Sequence, residues 1–197
     1  MDYQILVNKD NILNKDYVPE DLVEIYEPAG KKMDPNYINK LDKFVYQEFK
    51  EMQKDALLCN YEIFVDSSYR LFDYQQKVFD EIEAKKGLEY ALRYCALPGS
   101  SEHQTGLAFD VIVRRDGVLI EETNENDPEL IWLRDNSYKY GFILRYPKGK
   151  EEITGYNFEP WHFRYVGRDT ALKMHDSGIT TLEEYTITKK DVKKIKI

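Results

Sequence analysis

Three histidines occur in the 197 residues, and two of them keep company that could do chemistry. His103 lies in Ser100-Ser-Glu-His-Gln-Thr-Gly106, and Asp110 follows within the apolar run Leu107-Ala-Phe-Asp-Val-Ile-Val113. His162 closes Phe158-Glu-Pro-Trp-His162. An ionised Asp between Phe109 and Val111 is costly unless it is paired, hydrogen-bonded or bound to a metal. Two imidazoles and one carboxylate make a three-ligand set for a borderline-soft ion such as Zn²⁺, with a fourth position left for water. Against one carboxylate such an ion keeps a net charge of about +1, which lowers the pKa of a bound water toward ~7. Glu159, three residues before His162, could serve as general base. On an extended segment these two side chains do not share a face, so a turn or bulge at Pro160 must bring the carboxylate back over the site. On pattern alone, His-x6-Asp is also compatible with two structural histidines whose hydrogen bonds are satisfied, and Glu-x2-His adds only a little. His175, in Lys173-Met-His-Asp176, reads as an exposed helical residue.

The elements that must position these groups are legible in part. Residues 1–33 carry few periodic signals and read as an irregular arm or short strand. Asp34-Pro35 is a helix start, a capping residue followed by Pro at the first helical position. Ile38, Leu41, Phe44, Val45, Phe49 and Met52 then keep helical spacing, which predicts an amphipathic helix over 35–54. Tyr61–Val65 alternates as a strand does. Helices are expected after Asp73, with Val78, Phe79 and Ile82 on the apolar face, and near 88–94. Leu97–Ser101 is a loop, and 107–113 a strand. Asp116-Gly117 turns the chain into a hairpin strand at Val118–Ile120. Asp127-Pro128 opens a helix that stops before Gly141. Phe142–Tyr146 and Trp161–Val166 read as strands, and Asp169 caps a helix ending at Gly178. Helices early and strands late predict an α+β fold, helices packed on a small, mostly antiparallel sheet that carries the metal site. The expected organisation is an arm (1–33), one catalytic domain (34–186) and a basic, solvated tail (187–197).

Composition narrows the function classes. Lys plus Arg is 28 against 36 Asp plus Glu, a net charge of −8, and a general nucleic-acid binder carries the opposite balance. No run approaches the ~20 apolar residues of a membrane-spanning helix. Aromatic residues make up 14%, which argues for a folded chain. Cys59 and Cys95 read as buried or half-buried free thiols. The N-terminus lacks a basic segment followed by an apolar core, so the expected location is the cytoplasm; an envelope enzyme without its leader or anchor would read the same way.

Three separated segments resemble the zinc D-alanyl-D-alanine carboxypeptidases of the VanY and VanXY type, within the group that includes lysostaphin and the hedgehog signalling domain. They are Ser67-Ser-Tyr-Arg70 with Gln75, Ser101-Glu-His-Gln-Thr-Gly-Leu-Ala-Phe-Asp110, and Tyr140-Gly-Phe-Ile-Leu-Arg-Tyr-Pro147 running on to Glu159-Pro-Trp-His-Phe-Arg-Tyr-Val-Gly167. The likeness spans roughly residues 5–186. It implies that His103, Asp110 and His162 bind one zinc ion and that Glu159 is the catalytic base. It implies that Arg70 anchors a substrate carboxylate or carbonyl, with Gln75 and Ser101 adding hydrogen bonds. A planar guanidinium fork suits a terminal carboxylate. Trp161 is expected in the pocket wall. Glu102 precedes His103; neighbours on a strand face opposite ways, so it is expected to face away from the metal, either behind the ligands in contact with them or on the surface.

The activity implied is hydrolysis of the C-terminal D-Ala-D-Ala bond of peptidoglycan stem peptides, with D-Ala-D-Ala dipeptidase activity as an accompaniment. The alternatives are an L,D-carboxypeptidase acting on tetrapeptide stems and, in another class, a non-catalytic cell-wall-binding module with structural zinc. A structural site needs no base, so Glu159 speaks against the last. An acidic chain taking an acidic peptide must concentrate its positive charge on zinc and Arg70.

Overall fold

The computed structural model describes residues 2–26, 39–120 and 122–195, with side chains as far as Lys189. In chain order the elements are β1 (Leu22–Glu24), β2 (Lys40–Asp42), α1 (Lys43–Leu58), β3 (Glu62–Ser67), α2 (Phe72–Lys86) and α3 (Leu88–Tyr94). A 3₁₀ turn at Glu102–Thr105 leads into β4 (Ala108–Arg115) and β5 (Val118–Ile120). Then come α4 (Pro128–Asn136), a 3₁₀ turn at Ser137–Tyr140, β6 (Phe142–Leu144) and α5 (Glu151–Thr154). The chain ends with β7 (His162–Tyr165), α6 (Arg168–Ser177) and α7 (Leu182–Ile195). Helices pack on a small antiparallel sheet, the expected α+β architecture. Its strand order is β3-β4-β7-β6, with β5 also paired to β4, while β1 and β2 form a separate ribbon.

Strand periodicity sorts β4 and β7 onto two faces. Phe109, Val111 and Val113 of β4 and Phe163 and Tyr165 of β7 join Val45, Phe49, Met52 and Ala56 of α1 in the main core. Phe109 meets Phe49 edge-on at 5.0 Å and Phe142 at 5.2 Å between ring centres. Truncating such a buried ring costs about 3–5 kcal/mol. The intervening residues point to the other face. There Asp110 lies opposite His162, and Ala108 opposite Arg164. The register thus brings a carboxylate and an imidazole together from positions 52 residues apart. A bulge between Val65 and Ser67 places Ser67 beside Asp110 on the neighbouring strand.

The helix expected over 35–54 begins later. Asp34, Pro35 and Ile38 lie outside the described residues. Lys40–Asp42 pairs with β1 as a strand, and α1 starts at Lys43, where the Asp42 side chain accepts from the Phe44 and Val45 amides. Replacing such a cap with Ala costs about 1 kcal/mol. Leu41 therefore belongs to a strand although its spacing fits a helix. The N-cap of α2 is Leu71, with Asp73 in the first turn. Residues 2–26 lie against the body: Val7 is fully buried, Leu13 N–H donates to the Gly99 carbonyl, and Asn8 reaches Glu183 of α7. The backbone of the segment read as a solvated tail stays helical as far as Ile195. Cys95 is buried, but Cys59 is exposed at the end of α1. Among the described residues no helix is long and apolar enough to cross a membrane.

Candidate active site

The loop before β4 sets the first candidate ligand. Glu102–Thr105 is a 3₁₀ turn, not a strand, and it closes at Gly106 with φ +69°. That backbone conformation calls for glycine; a Cβ there would meet the flexible end of Leu22, Cδ2, at 2.7 Å. Thr105 Oγ1 donates to the Glu102 carbonyl and accepts from the Leu107 amide, which fixes the turn. His103 is thereby aimed at the face of the sheet that carries Asp110 and His162. The rings of His103 and His162 meet edge-on, 4.9 Å apart.

Among the described residues, one potential ligand atom each from His103, Asp110 and His162 lies within 4.8 Å of the others. His103 Nδ1 bonds the Ser68 carbonyl at 2.7 Å, which requires a proton on that nitrogen and leaves the Nε2 lone pair 3.4 Å from Asp110 Oδ2. Two electron-pair donors so placed are suited to sharing a cation. Asp110 Oδ1 lies 2.9 Å from His162 Nδ1. The donor set, two imidazole nitrogens and one carboxylate with an open side, suits zinc.

Glu159 comes back over this group as the sequence requires. The His162 amide donates to the Glu159 carbonyl, closing a turn through Pro160, and the Glu159 amide donates to the Tyr146 carbonyl. The Glu159 carboxylate stands 4.0 Å from His162 Nδ1. Burial, reinforced by the Asp110 charge, pushes its pKa up to about 8. Burial and the Arg70 charge push His103 down to about 4. His162 is driven the other way, to about 9, because its carboxylate neighbours Asp110 and Glu102 outweigh burial. Asp110 is held well below the carboxylate range; the two histidines overcome its burial.

Arg70 reaches the same cleft. Its Nη2 is 3.2 Å from Asp110 Oδ2, its Nε donates to Ser67 Oγ and its Nη1 to Gln75 Oε1. The Gln75 amide is engaged at both ends, since Nε2 donates to the Ala96 carbonyl at 2.7 Å. Ser101 and Trp161 line the cleft, which has a volume of about 220 Å³. Tyr146 and Tyr156, not singled out in the sequence, form another wall. Val78, Ile82 and Cys95 add apolar surface to its lining. The seven residues singled out from the sequence thus line one cleft. His175 lies away from it, exposed and stacked on Tyr138 at 3.6 Å.

Of the two places expected for Glu102, the structure shows the one behind the candidate ligands and not the surface. It is 1% exposed and lies beneath His162. Its Oε1 accepts from Arg145 Nε and Arg164 Nη1, each at 2.7 Å. Those two guanidiniums overcome burial and hold its carboxyl well below the usual range. Strand alternation is not the reason, because the segment is a 3₁₀ turn. A usable signal was present: Arg145 and Arg164 interrupt apolar strands, and a buried charge calls for a partner just as Asp110 does.

Comparison with known proteins agrees with this geometry. The family model described as VanY, D-alanyl-D-alanine carboxypeptidase, matches residues 38–168. A D-alanyl-D-alanine carboxypeptidase of Enterococcus faecium is 40% identical over 158 residues, covering 80% of this chain and 47% of that protein. The chain likewise spans only 65% and 66% of two other curated relatives. The solved LdcB LD-carboxypeptidase superposes with a TM-score of 0.78 at 41% identity, over 92% of this chain and 84% of the other. A mutant of the vancomycin-resistance D,D-pentapeptidase VanY, solved in complex with Zn(II), gives a TM-score of 0.77 at 35% identity, over 94% and 99%.

Proposed function

The chain belongs to the VanY family of D-alanyl-D-alanine carboxypeptidases, and on that premise we propose that it is a zinc peptidase that releases the terminal D-alanine of peptidoglycan stem peptides ending in D-Ala-D-Ala. The observation that carries this reading is the convergence in one small cleft of a His/Asp/His group able to hold a metal, a buried carboxyl 4.0 Å from His162 Nδ1, and the Arg70 guanidinium. His103 through Nε2, Asp110, and His162 through Nδ1 would hold the ion. Bound zinc supplies Lewis acidity toward the scissile carbonyl and acidifies water. Glu159 takes the proton of the attacking water and returns it to the leaving amine. Arg70 offers its remaining N–H donors to the substrate's terminal carboxylate. Gln75, spent on Arg70 and Ala96, holds that fork in place, and Ser101 presents a hydroxyl from the cleft wall. Trp161, Tyr146 and Tyr156 restrict water and limit the cleft to the end of a peptide.

A second reading, an L,D-carboxypeptidase acting on tetrapeptide stems, is favoured by one observation: the LD-carboxypeptidase LdcB is 41% identical over the superposed region, against 35% for the D,D-enzyme. The zinc-loaded protein should be given three substrates, D-Ala-D-Ala, a pentapeptide ending in it, and the tetrapeptide lacking the last residue, and free alanine measured. Release from the pentapeptide supports the proposal, and release from the dipeptide adds dipeptidase activity. Release from the tetrapeptide alone supports the second reading. Release from none, with zinc bound, would overturn the proposal and favour the wall-binding-module reading.

A further inference from the structure

The four charged groups beneath His162 have no part in the chemistry so far. Arg145 and Arg164 are both fully buried. Arg145 grips Glu183 of α7 with both terminal nitrogens, at 2.9 and 2.7 Å, and spends its Nε on Glu102. Arg164 donates to the carbonyls of Tyr3 and Ile5 and, through Nη1, to Glu102. Both arginines therefore converge on one oxygen of Glu102, Oε1. A buried ion network is a poor stabilising device, because the cost of removing its members from water rivals their attraction. Its position under the metal group asks for another reason.

The second oxygen supplies it. Glu102 Oε2 has no hydrogen-bond partner in the protein, nor has His162 Nε2, and the two atoms face each other at 3.7 Å. Histidines that bind metals donate their other ring N–H to a carboxylate or a carbonyl, which fixes the tautomer and the ring orientation. His103 already does this through Ser68. For His162 the group that Nε2 faces is Glu102.

We propose that Glu102 is a positioning residue for the metal: pinned at Oε1 by Arg145 and Arg164, it accepts the Nε2–H of His162 at Oε2 and so presents the Nδ1 lone pair to the ion. The proposal rests on the reading of His103, Asp110 and His162 as zinc ligands.

The test is zinc affinity by chelator competition, together with the imidazole proton spectrum of the zinc-loaded protein. In Glu102→Gln the amide oxygen stays with the arginines and the NH₂ group faces His162, where it cannot accept a proton. Zinc affinity is expected to fall about 10- to 100-fold, and the downfield, slowly exchanging Nε2–H signal of His162 to move upfield or vanish. Glu183→Gln, which loosens the network without touching the Glu102 oxygens, should leave that signal in place. Wild-type affinity and an unchanged signal in Glu102→Gln would overturn the proposal. Should that variant not fold, the wild-type spectrum decides: a zinc-loaded protein with a fast-exchanging His162 Nε2–H contradicts it. His162→Ala keeps the two failures apart. Unchanged zinc affinity in His162→Ala would sink the metal-site reading itself, whereas its loss there with normal affinity in Glu102→Gln would sink only the role of Glu102.

Discussion

Two buried charged clusters lie back to back on one face of the sheet, and they are finished differently. Beneath His162, two glutamates meet two arginines, and bonds of 2.7–2.9 Å join them. Above it, the carboxylates of Asp110 and Glu159 face one guanidinium, Arg70, and imidazole nitrogens that their neighbours pull in opposite directions. The lower cluster is matched within the chain except at Glu102 Oε2, which faces His162 Nε2. The upper one has an excess of electron-pair donors and an open side toward the cleft, as a site for a dication should. Burial alone therefore does not mark function; the unbalanced cluster is the one that points to a ligand.

The contrast can be broken most severely from the open side. Removing zinc with a chelator, or replacing His162 with Ala, should reduce alanine release to background, while circular dichroism reports an intact fold. Activity that persists without bound metal would erase the distinction between the clusters. Next in size is the closed side. Arg164→Ala leaves Glu102 buried with half its partners, and losing one member of a buried pair costs about 3–5 kcal/mol. Urea denaturation of the zinc-free protein should show this loss, and a change under 1 kcal/mol would mean that the lower cluster is not a closed unit. Arg70→Lys keeps the charge but loses the fork that engages Ser67, Gln75 and Asp110. We expect kcat/KM to fall about ten- to a hundredfold on peptides with a free terminal carboxylate, in line with ~1.5–3 kcal/mol for a charged hydrogen bond. A terminal amide analogue should lose much less.

The smallest effect is a dependence on pH. Without zinc, the carboxylate neighbours push His162 up to about 9 and burial pushes Glu159 up to about 8, from ordinary values of 6.5 and 4.5. From pH 6.5 to 9 the zinc-free native state thus holds more protons than the unfolded chain, and its stability falls as pH rises. His103, lowered to about 4, acts in the opposite direction, but only below pH 6.5. Zinc takes the place of the His162 proton, so the rise in Tm that zinc produces should grow across the same window. A zinc-induced rise that shrinks with pH would contradict this assignment.

Much of this contrast was legible in the sequence, but unevenly. Local signals worked where the chain decides locally: Asp116-Gly117 turns into β5, Asp127-Pro128 opens α4, and α3 spans the expected 88–94. The buried Asp110 announced the open cluster, because an acid in an apolar strand needs a partner. The same argument applied to Arg145 and Arg164 would have announced the closed one. Its partners were out of reach: Glu183 lies 38 residues from Arg145, and Glu102 62 residues from Arg164. Leu41 shows the other limit. Its spacing suits a helix, but pairing of β2 with β1 and the cap at Asp42 take it into a strand.

The central claim is that the open cluster holds zinc and that Glu159 moves the proton. It is tested most directly by comparing wild type with Glu159→Gln, zinc content and D-alanine release from the pentapeptide being measured on the same samples. The account predicts one zinc per chain in both proteins and release about 10²- to 10⁴-fold slower in the variant. Equal turnover in the two proteins, or wild-type turnover without zinc, would contradict it.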